Sequence, residues 1–450
     1  MSPSQHFARL RRARHLWVSR RVWRQRLVFW SGGLAAGGAA VLLAVAANYV
    51  QAWFRLVIGV APWLALVITP AGLALSVYLT RRFFPGSEGS GIPQAIAARR
   101  LTDPAARAQL LSAKLALGKI LLTLLGLLTG ASAGREGPTV QVGAALMHAA
   151  GSAAGRHYRG LILAGGAAGV AAAFNTPLAG IVFAIEEMSR SFEQRTSGLV
   201  LTTVIIAGLV SLALLGDYTY FGHSAAVLER PVDWLAVPLC GVVGGAAGGL
   251  FSLGVVAVAR GLPGAPGRWI KAHPIAFAAS CGMLVALAGL ASGGAVHGTG
   301  YNEAKRLLEG AGGVPQSFGV LKFVATLLST VSGIPGGIFS PSLAVGAGLG
   351  ADLARLMPET PVGAVVLLGM VAYFSGVVQA PITAFVIVLE MTDSSAMTVP
   401  LMAAALIAYG TARVLGTPAV YHALSRDFLR RHAAAQEMPE PCSTEHHRRD

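Results

Sequence analysis

Charged residues are scarce in this chain of 450 residues, because Asp, Glu, Lys and Arg make up 12% of it, against roughly 25% in soluble domains. Hydrophobic residues make up 54%, so an ordinary water-soluble globular protein is excluded. Cysteine is nearly absent too, with three residues and no spacing that suits a disulfide framework or a metal site. We therefore expect an integral membrane protein without a metal or cofactor.

Acids are missing from the N-terminal segment, where eight arginines lie between Arg9 and Arg26. The segment from Arg426 to His432, after the last apolar stretch, is also basic. Such flanks predict a multi-pass protein of the cell inner or plasma membrane, with both termini cytoplasmic and an even number of crossings. Nucleic-acid binding is the alternative for the arginine run; a topology anchor beside anionic membrane lipid is favoured.

Long apolar stretches recur along the chain and lack the alternation of a membrane barrel, so they predict an all-α polytopic protein. Stretches near or above spanning length are 29–50, 57–80, 109–133, 198–215, 235–259, 274–292, 317–331, 362–379 and 396–416. Shorter ones at 161–173, 178–185 and 382–389 cannot cross alone. They predict broken or half-spanning helices.

An internal repeat divides the chain. PTVQVGA (138–144) matches PSLAVGA (341–347) at an offset of 203, and PLAGIVFAIEEM (177–188) matches PITAFVIVLEM (381–391) at 204. GSG at 89–91 also matches GTG at 298–300 more weakly. Two halves of this kind are typical of transporters that bind substrate at the interface between the halves.

The repeat predicts five segments. They are a basic cytoplasmic segment 1–28, a first membrane repeat 29–215, a linker 216–234, a second membrane repeat 235–425 and a cytoplasmic tail 426–450.

Glu136 is a lone acid within the apolar run from Ile120 to Ala150, and the matching position in the second half is Phe339. A charge at this depth costs about 2.5 to 3.5 kcal/mol on insertion scales, and intramembrane acids usually mark ion or proton paths. We expect function to depend on Glu136.

Two further acids, Glu186 and Glu187, differ in whether the second half of the chain has an acid at the matching position. Glu186 has a counterpart in Glu390, which predicts a shared structural duty such as satisfying backbone groups where a helix breaks. Glu187 has none, because Met391 occupies the matched position. Glu187, like Glu136, is therefore a candidate for a task that symmetry does not require.

Three motifs combine glycines with a proline that can start a helix: GSGIPQ (89–94), GREGP (134–138) and GGIFSP (336–341). Such segments expose free backbone N–H groups beside a positive helix end, which suits a small anion. Packing corners made of glycine are the alternative. Three such motifs together with a buried acid favour an anion site.

These motifs, with AAAFNTPLAGIVFAIEEM and APITAFVIVLEMTD, occur in an order and at separations that resemble the CLC family of chloride channels and chloride/proton antiporters. The similarity runs from about residue 30 to residue 425. It implies a homodimer with one pore per subunit and a CLC-type fold of two inverted halves with tilted and broken helices. We expect the compact prokaryotic form, without paired C-terminal nucleotide-sensing (CBS) modules.

The resemblance assigns a central anion site. Ser90 and Tyr421 would donate hydroxyl hydrogen bonds to chloride, and the backbone N–H groups of Ile338 and Phe339 would complete the site. A helix cap is the alternative for Ser90, and an interfacial anchor is the alternative for Tyr421. Chloride is the expected anion, with bromide or nitrate less discriminated.

Glu136 resembles the family's gating glutamate, whose ionised carboxylate occupies an anion site and yields it to chloride once protonated. Glu187, the second acid of IEEM, matches the position at which family exchangers carry an inner proton-transfer acid. Chloride/proton exchange is therefore the expected activity, and a passive voltage- or pH-gated chloride channel is the alternative.

Supporting roles are expected for residues within or beside the motifs: Gly89, Gly91, Pro93, Lys119, Gly134, Arg135, Gly137 and Pro138. Lys119 would tune the inner field, with snorkelling of its ammonium group as the alternative. Arg135 would support positive potential or a structural pair, without touching the anion. Gln94 and Ile96 stand where some relatives carry acids, so we expect protons to reach Glu187 through water or a different route.

An enzyme remains a remote alternative, because GASAG (130–134) fits the GxSxG pattern of serine hydrolases with Ser132 as nucleophile. The pattern needs a strand-to-helix elbow or a partnered base. Here it falls in an apolar stretch without an evident His and Asp pair.

Overall fold

The computed structural model describes residues 20–153, 159–189, 197–216 and 219–437, which are almost entirely helical. The start of the arginine run and the tail with Cys442 lie outside these residues. The helices of the first half are α1 (Arg20–Val60), α2 (Ala65–Phe83), α3 (Ile92–Arg100), α4 (Pro104–Leu110), α5 (Ala113–Leu128), α6 (Glu136–Ala153), α7 (Arg159–Phe174), α8 (Pro177–Phe183) and α9 (Ser197–Leu215).

The second half repeats this pattern after a linker that contains a short 3₁₀ turn at Pro231–Leu235. Its helices are α10 (Ala236–Arg260), α11 (Gly264–Ala272), α12 (Pro274–Ala291), α13 (Tyr301–Leu308), α14 (Phe318–Val331), α15 (Phe339–Ala354), α16 (Val362–Val378), α17 (Pro381–Thr392), α18 (Thr398–Val414) and α19 (Val420–Glu437). The all-α fold predicted from the sequence is confirmed. The five segment boundaries stay a prediction.

Among the described residues, seven helical segments are long and apolar enough to cross a membrane. The predicted short stretches are indeed short helices, namely α7, α8 and α17, which have 16, 7 and 12 residues. Length alone does not fix the number of crossings, so the even number stays a prediction.

Two apolar stretches that read as continuous in the sequence are broken in the fold. The stretch 57–80 turns at Ala61, where a 3₁₀ turn, Pro62–Leu64, separates α1 from α2. The run from Ile120 to Ala150 is interrupted between Leu128 and Glu136. The breaks occur because Pro62 cannot continue the helix hydrogen bonding and Gly130 adopts φ 87°. The second break exposes backbone groups where Glu136 begins α6.

Glycines let neighbouring helices within each half approach closely, at equivalent places in the two halves. Gly143 of α6 faces Gly165 of α7, and Gly346 of α15 faces Gly369 of α16. At each of the four positions a β-carbon would collide with the backbone of the facing helix. Small residues at such crossings are what allow helices to associate in a membrane, where burial of apolar side chains gives little driving force.

Glu186 and Glu390 confirm the structural duty predicted from the repeat. The Glu390 carboxylate accepts hydrogen bonds from Leu178 N at 3.1 Å and Ala179 N at 2.7 Å. The Glu186 carboxylate accepts bonds from Ile382 N at 3.2 Å and Thr383 N at 2.6 Å. Each acid therefore satisfies the free N–H groups at the start of the other half's short helix.

We expect Glu390→Ala to destabilise the protein by about 0.5 to 2 kcal/mol, the usual cost of a lost helix cap. Glu390→Gln keeps a side-chain oxygen as acceptor and should recover part of the loss. Thermal unfolding in detergent measures both. Glu309→Ala is the control, since Glu309 is half-exposed and makes a surface pair with Lys305. Equal midpoints for Glu390→Ala and the control would contradict the capping role.

Candidate functional site

The three glycine motifs meet at one junction in the middle of the fold. Gly89 N donates to Ile334 O at 3.2 Å, and Gly336 N donates to Gly89 O at 3.1 Å. Gly134 and Gly337 exchange two backbone hydrogen bonds, of 2.6 and 2.7 Å. The GGIFSP loop thus lies between the other two loops and is bonded to both. Pairing of the backbones satisfies polar groups that would otherwise be buried without partners.

The junction requires glycine at two positions. Gly91 has φ 99°, and a β-carbon there would lie 2.8 Å from Gly137 O. A β-carbon on Gly137 would collide with the hydroxyl and carbonyl oxygens of Ser90. The GSGIPQ and GREGP loops therefore approach closely only because both positions lack a side chain.

Three helices begin directly after the three loops, so their N-termini point into the junction. They are α3 after GSG, α6 at Glu136 and α15 after GGI. No side chain caps α3 at Gly91 or α15 at Ile338. The first N–H groups of a helix have no intrahelical acceptor and carry partial positive charge. The junction is therefore suited to negative charge.

Glu136 is fully buried at this junction, as its place in the sequence predicts. Its carboxylate accepts a hydrogen bond from the Ser340 hydroxyl and a longer one, 3.4 Å, from Ser340 N. Gly134 leaves the space that one carboxylate oxygen occupies. The acid thus begins one helix and is held at the N-terminus of another. Ser340 was not predicted as a site residue, although its place in GGIFSP was visible.

A cavity of about 1040 Å³ opens beside the junction and is lined by Ser90, Ile338 and Tyr421. Five basic residues also line it, with two acids, Glu88 and Asp427. The basic residues are Arg81, Arg260, Arg268, Lys271 and Arg431. The excess of positive charge favours anions in the cavity.

The hydroxyl groups of Ser90 and Tyr421 are buried and lie near each other, and neither makes a hydrogen bond of good geometry among the described residues. Ser90 is not a helix cap, because the N-cap residue of α3 is Gly91 and no side chain caps that helix. Tyr421 is fully buried, so the interfacial-anchor alternative is wrong. Buried hydroxyl groups normally find a partner. These two suit an anion that accepts from both.

Phe339 supplies its backbone at the first position of α15, while its ring packs against Phe174 and Phe374 at 4.9 and 4.2 Å between centroids. These ring contacts anchor the first turn of α15 in the core. The N–H groups of Ile338 and Phe339 lie at the start of that helix, as the predicted anion site requires.

Two buried lysines donate hydrogen bonds to backbone carbonyl groups of glycine-containing loops. Lys119 Nζ donates to Ser87 O at 2.6 Å and Gly89 O at 2.8 Å. Lys322 Nζ makes equivalent bonds in the other half, to Val296 O at 2.8 Å and Gly298 O at 2.7 Å. Lys119 is fully buried, so the snorkelling alternative is wrong. The sequence comparison missed Lys322, although its offset of 203 from Lys119 matches the repeat.

Arg135 and Gln94 also support the loops. Arg135 Nη1 donates to Ala44 O at 2.5 Å and to Asn48 Oδ1 at 2.8 Å, which ties the GREGP loop to α1. Gln94 Nε2 donates to Glu88 O at 2.5 Å, within the loop that leads to Ser90. Both contacts are structural. The Arg135 contacts fit the structural pair that the sequence suggested.

Glu187 lies in a π-helical turn, Ala184–Ser189, that extends α8, and it is 2% exposed. Such turns often occur at functional sites. His422 approaches it, with Nε2 at 3.4 Å from Glu187 Oε1. Tyr421 is within electrostatic range of both Glu187 and Glu136. Tyr421 therefore links the surroundings of the two asymmetric acids.

Among the described residues, the side chain and backbone of Ser132 bond to hydroxyl groups and not to a histidine. Its hydroxyl shares a hydrogen bond of 2.9 Å with Thr326, and its backbone N–H bonds to Ser329 Oγ at 3.0 Å. Within the described residues, no group of three or more His, Cys, Asp and Glu side chains could hold a metal ion. Ser132 serves to join the two halves.

The fold and the junction define a class: a polytopic helical membrane protein built from two related halves, with a buried carboxylate beside an anion-attracting cavity. Residues 72–413 match the family described as "Voltage gated chloride channel". The chain belongs to this family, which confirms the resemblance drawn from the motifs. The hydrolase alternative is wrong, because the relatives are named as transporters.

Two of the similar proteins carry the same name. The chain is 34% identical over 409 residues to the H⁺/Cl⁻ exchange transporter ClcA of Cronobacter sakazakii, covering 85% of this chain and 84% of the relative. It is 33% identical over 404 residues to ClcA of Salmonella arizonae, covering 83% and 80% respectively.

Solved structures agree with the fold. A slow cyanobacterial Cl⁻/H⁺ antiporter superposes with a TM-score of 0.78 at 25% identity, covering 91% of this chain and 99% of that one. A CLC-type fluoride/proton antiporter has a TM-score of 0.77 at 21% identity, covering 90% and 99%, and supports the fold alone. The CLC-type fold predicted from the sequence is confirmed.

We expect Gly137→Ala to destabilise the protein by about 1 to 3 kcal/mol, because the added methyl group would force the two loops apart. Thermal unfolding in detergent gives the effect. Gly38→Ala is the matched control, since a β-carbon there meets nothing within 4 Å. An unchanged midpoint for Gly137→Ala would show that the loops are not packed this closely.

Proposed function

We propose that this chain exchanges chloride for protons across the membrane, with Glu136 as the gating glutamate and Glu187 as the inner proton-transfer glutamate. One observation carries the proposal: a single buried carboxylate lies at the N-termini of α6 and α15, next to hydroxyl groups that suit an anion. A carboxylate and chloride are both monovalent anions that accept hydrogen bonds, so each can use the donors of the other.

Competition for these donors couples the two ions. The ionised Glu136 carboxylate occupies the N-terminus of α15 through Ser340. A proton removes its charge and weakens both bonds, since hydrogen bonds to charged acceptors are about twice as strong as neutral ones. Chloride then takes the place. When chloride leaves, Glu136 releases its proton and returns.

Chloride would be held by hydroxyl groups of Ser90 and Tyr421 and by the N–H groups of Ile338 and Phe339. The positive lining of the cavity would raise the local chloride concentration before binding. These donors fit any small monovalent anion, which is why bromide and nitrate are expected as weaker competitors.

Glu187 distinguishes the exchanger from a passive channel. Glu187 is buried and has no matching acid in the second half of the chain. It lies within electrostatic range of Tyr421, as Glu136 does. An acid in this place offers protons a second acceptor on the way to Glu136. A passive channel has no need of one. The exchange activity printed for the ClcA relatives supports the same choice.

The assembly is proposed to be a homodimer in the cell inner or plasma membrane, with both termini cytoplasmic. Apolar side chains stand exposed on α8, α9, α17 and α18, which are neighbours in the fold: Leu178, Leu209, Ile382 and Leu406, each 51 to 55% exposed. This face suits contact with a second copy, and the remaining apolar surface suits lipid.

In liposomes that contain the purified protein, we expect Glu187→Ala to stop proton movement while chloride flux continues. Glu136→Ala should also uncouple protons, because no carboxylate remains to exchange places with chloride. Chloride efflux is measured with a chloride electrode and proton movement with a pH electrode. Glu359→Ala, on an exposed loop, is the control. Proton movement that persists in both variants contradicts the assigned roles.

Ser340→Ala removes the hydroxyl donor to Glu136 and leaves the backbone donor in place. The Glu136 carboxylate should then compete less well with chloride, so half-maximal transport should require less chloride. We expect a shift of about two- to fivefold, as for about 0.5 to 1 kcal/mol in one hydrogen bond. Transport rates as a function of chloride concentration measure it, and an increased chloride requirement contradicts the competition.

A further inference from the structure

We infer that His422 is a proton-transfer residue, which takes protons from the cytoplasmic side and delivers them to Glu187. The inference rests on the proposed exchange function. The contact that carries it joins His422 Nε2 and Glu187 Oε1 at 3.4 Å, between side chains that are 4% and 2% exposed. Neither sequence motifs nor the repeat assigned any role to this histidine.

The first turn of α19 brings His422 to this position. Tyr421 and His422 are adjacent in sequence, so their side chains leave the helix on different faces. Tyr421 faces the cavity with Ser90, whereas His422 contacts Glu187 on the π turn. One helical turn therefore serves the anion path with one residue and the acid with the next.

Histidine has the chemistry that a relay requires. Its unperturbed pKa near 6.5 is the one side-chain value that lies within the neutral range, and its ring can accept a proton on one nitrogen and release one from the other. The distance of 3.4 Å closes to a hydrogen bond with a small side-chain movement, or through one water.

The transfer balances as follows. Protonated His422 gives its Nε2 proton to the Glu187 carboxylate, which leaves a neutral imidazole and a neutral carboxylic acid. A hydronium ion from the cytoplasmic side then reprotonates Nε2 and becomes water, and Glu187 passes its proton on toward Glu136, which restores the Glu187 carboxylate. Each group returns to its starting state after one proton has moved.

Solvent reaches α19 within one helical turn of His422. Arg426, four residues beyond His422 and on the same face of the helix, is exposed, whereas Tyr421, Leu424 and Asp427 line the cavity on an adjacent face. The helix runs from the buried pair toward the predicted cytoplasmic terminus. Protons can therefore approach along α19 without crossing the apolar core.

Several charged and polar groups lie on the helices around His422 and Glu187. Arg99 of α3 donates to Met188 O at 3.2 Å and Ser189 Oγ at 3.0 Å, which holds the end of the π turn. Arg260 of α10 pairs with Asp427 of α19 at 3.3 Å. Gln94 of α3 cannot titrate and bonds to its own loop. Tyr373 of α16 is buried.

The test measures proton and chloride flux of His422→Gln in liposomes. Glutamine keeps hydrogen-bonding capacity but cannot carry a proton at neutral pH. We expect proton flux to fall by about tenfold or more, since a positioned acid–base group typically contributes 10²–10⁴-fold, while chloride flux stays within about twofold.

His422→Ala supplies a second test that does not depend on the glutamine variant folding well. Alanine leaves a space the size of the lost ring, so imidazole added to the solution should restore proton flux in this variant and have no effect on the unmodified protein. A merely structural histidine would not be rescued in this way.

The matched control is His223→Gln, because His223 also contacts a carboxylate, Asp393, at 2.8 Å, but on the exposed surface. Its proton flux should equal that of the unmodified protein. Unchanged proton flux in His422→Gln, or proton and chloride fluxes that fall together without imidazole rescue, overturns the inference. If the unmodified protein moves no protons, the proposed exchange function itself fails, which is a different result.

Discussion

The structure depends on the backbone pairing of three glycine loops. A buried carboxylate is costly in a membrane unless it meets donors, and Glu136 meets them at the start of α15, where Ser340 donates through both its backbone and its hydroxyl. Those donors are in reach because Gly337 is bonded to Gly134. The same junction directs α3 toward the cavity and leaves the Ser90 hydroxyl beside it.

Features that occur in both halves belong to the scaffold, and the two acids that lack a counterpart are the ones proposed to act in transport. Glu186 and Glu390 cap each other's helices, Lys119 and Lys322 each hold a loop, and glycine pairs cross at matched positions. Each feature occurs once per half because each solves the same problem of a broken helix in a membrane. Glu136 and Glu187 have no counterparts, and Tyr421 lies within electrostatic range of both. A transport path needs different chemistry at its two ends, which a perfect repeat cannot supply.

Much of the fold could be predicted from the sequence, because apolar length, glycine, proline and an internal repeat act locally. The duty of Glu186 and Glu390 followed from their alignment, and the burial of Glu136 followed from its surroundings. Contacts between distant segments could not be predicted in this way. The lysine bonds, the Ser340 hydroxyl and the approach of His422 to Glu187 depend on how loops more than 20 residues apart meet. Breaks within apolar runs were also missed, since hydropathy does not register a turn such as that at Gly130.

The central claim is that one carboxylate and chloride compete for the same donors, so that movement of one ion drives the other. The most direct measurement follows the pH outside liposomes that contain the unmodified protein and an imposed chloride gradient, with no initial pH gradient. The account predicts that protons move against their own gradient as chloride runs down its gradient, and that the movement reverses when the chloride gradient is reversed. Chloride flux without any proton movement would contradict it.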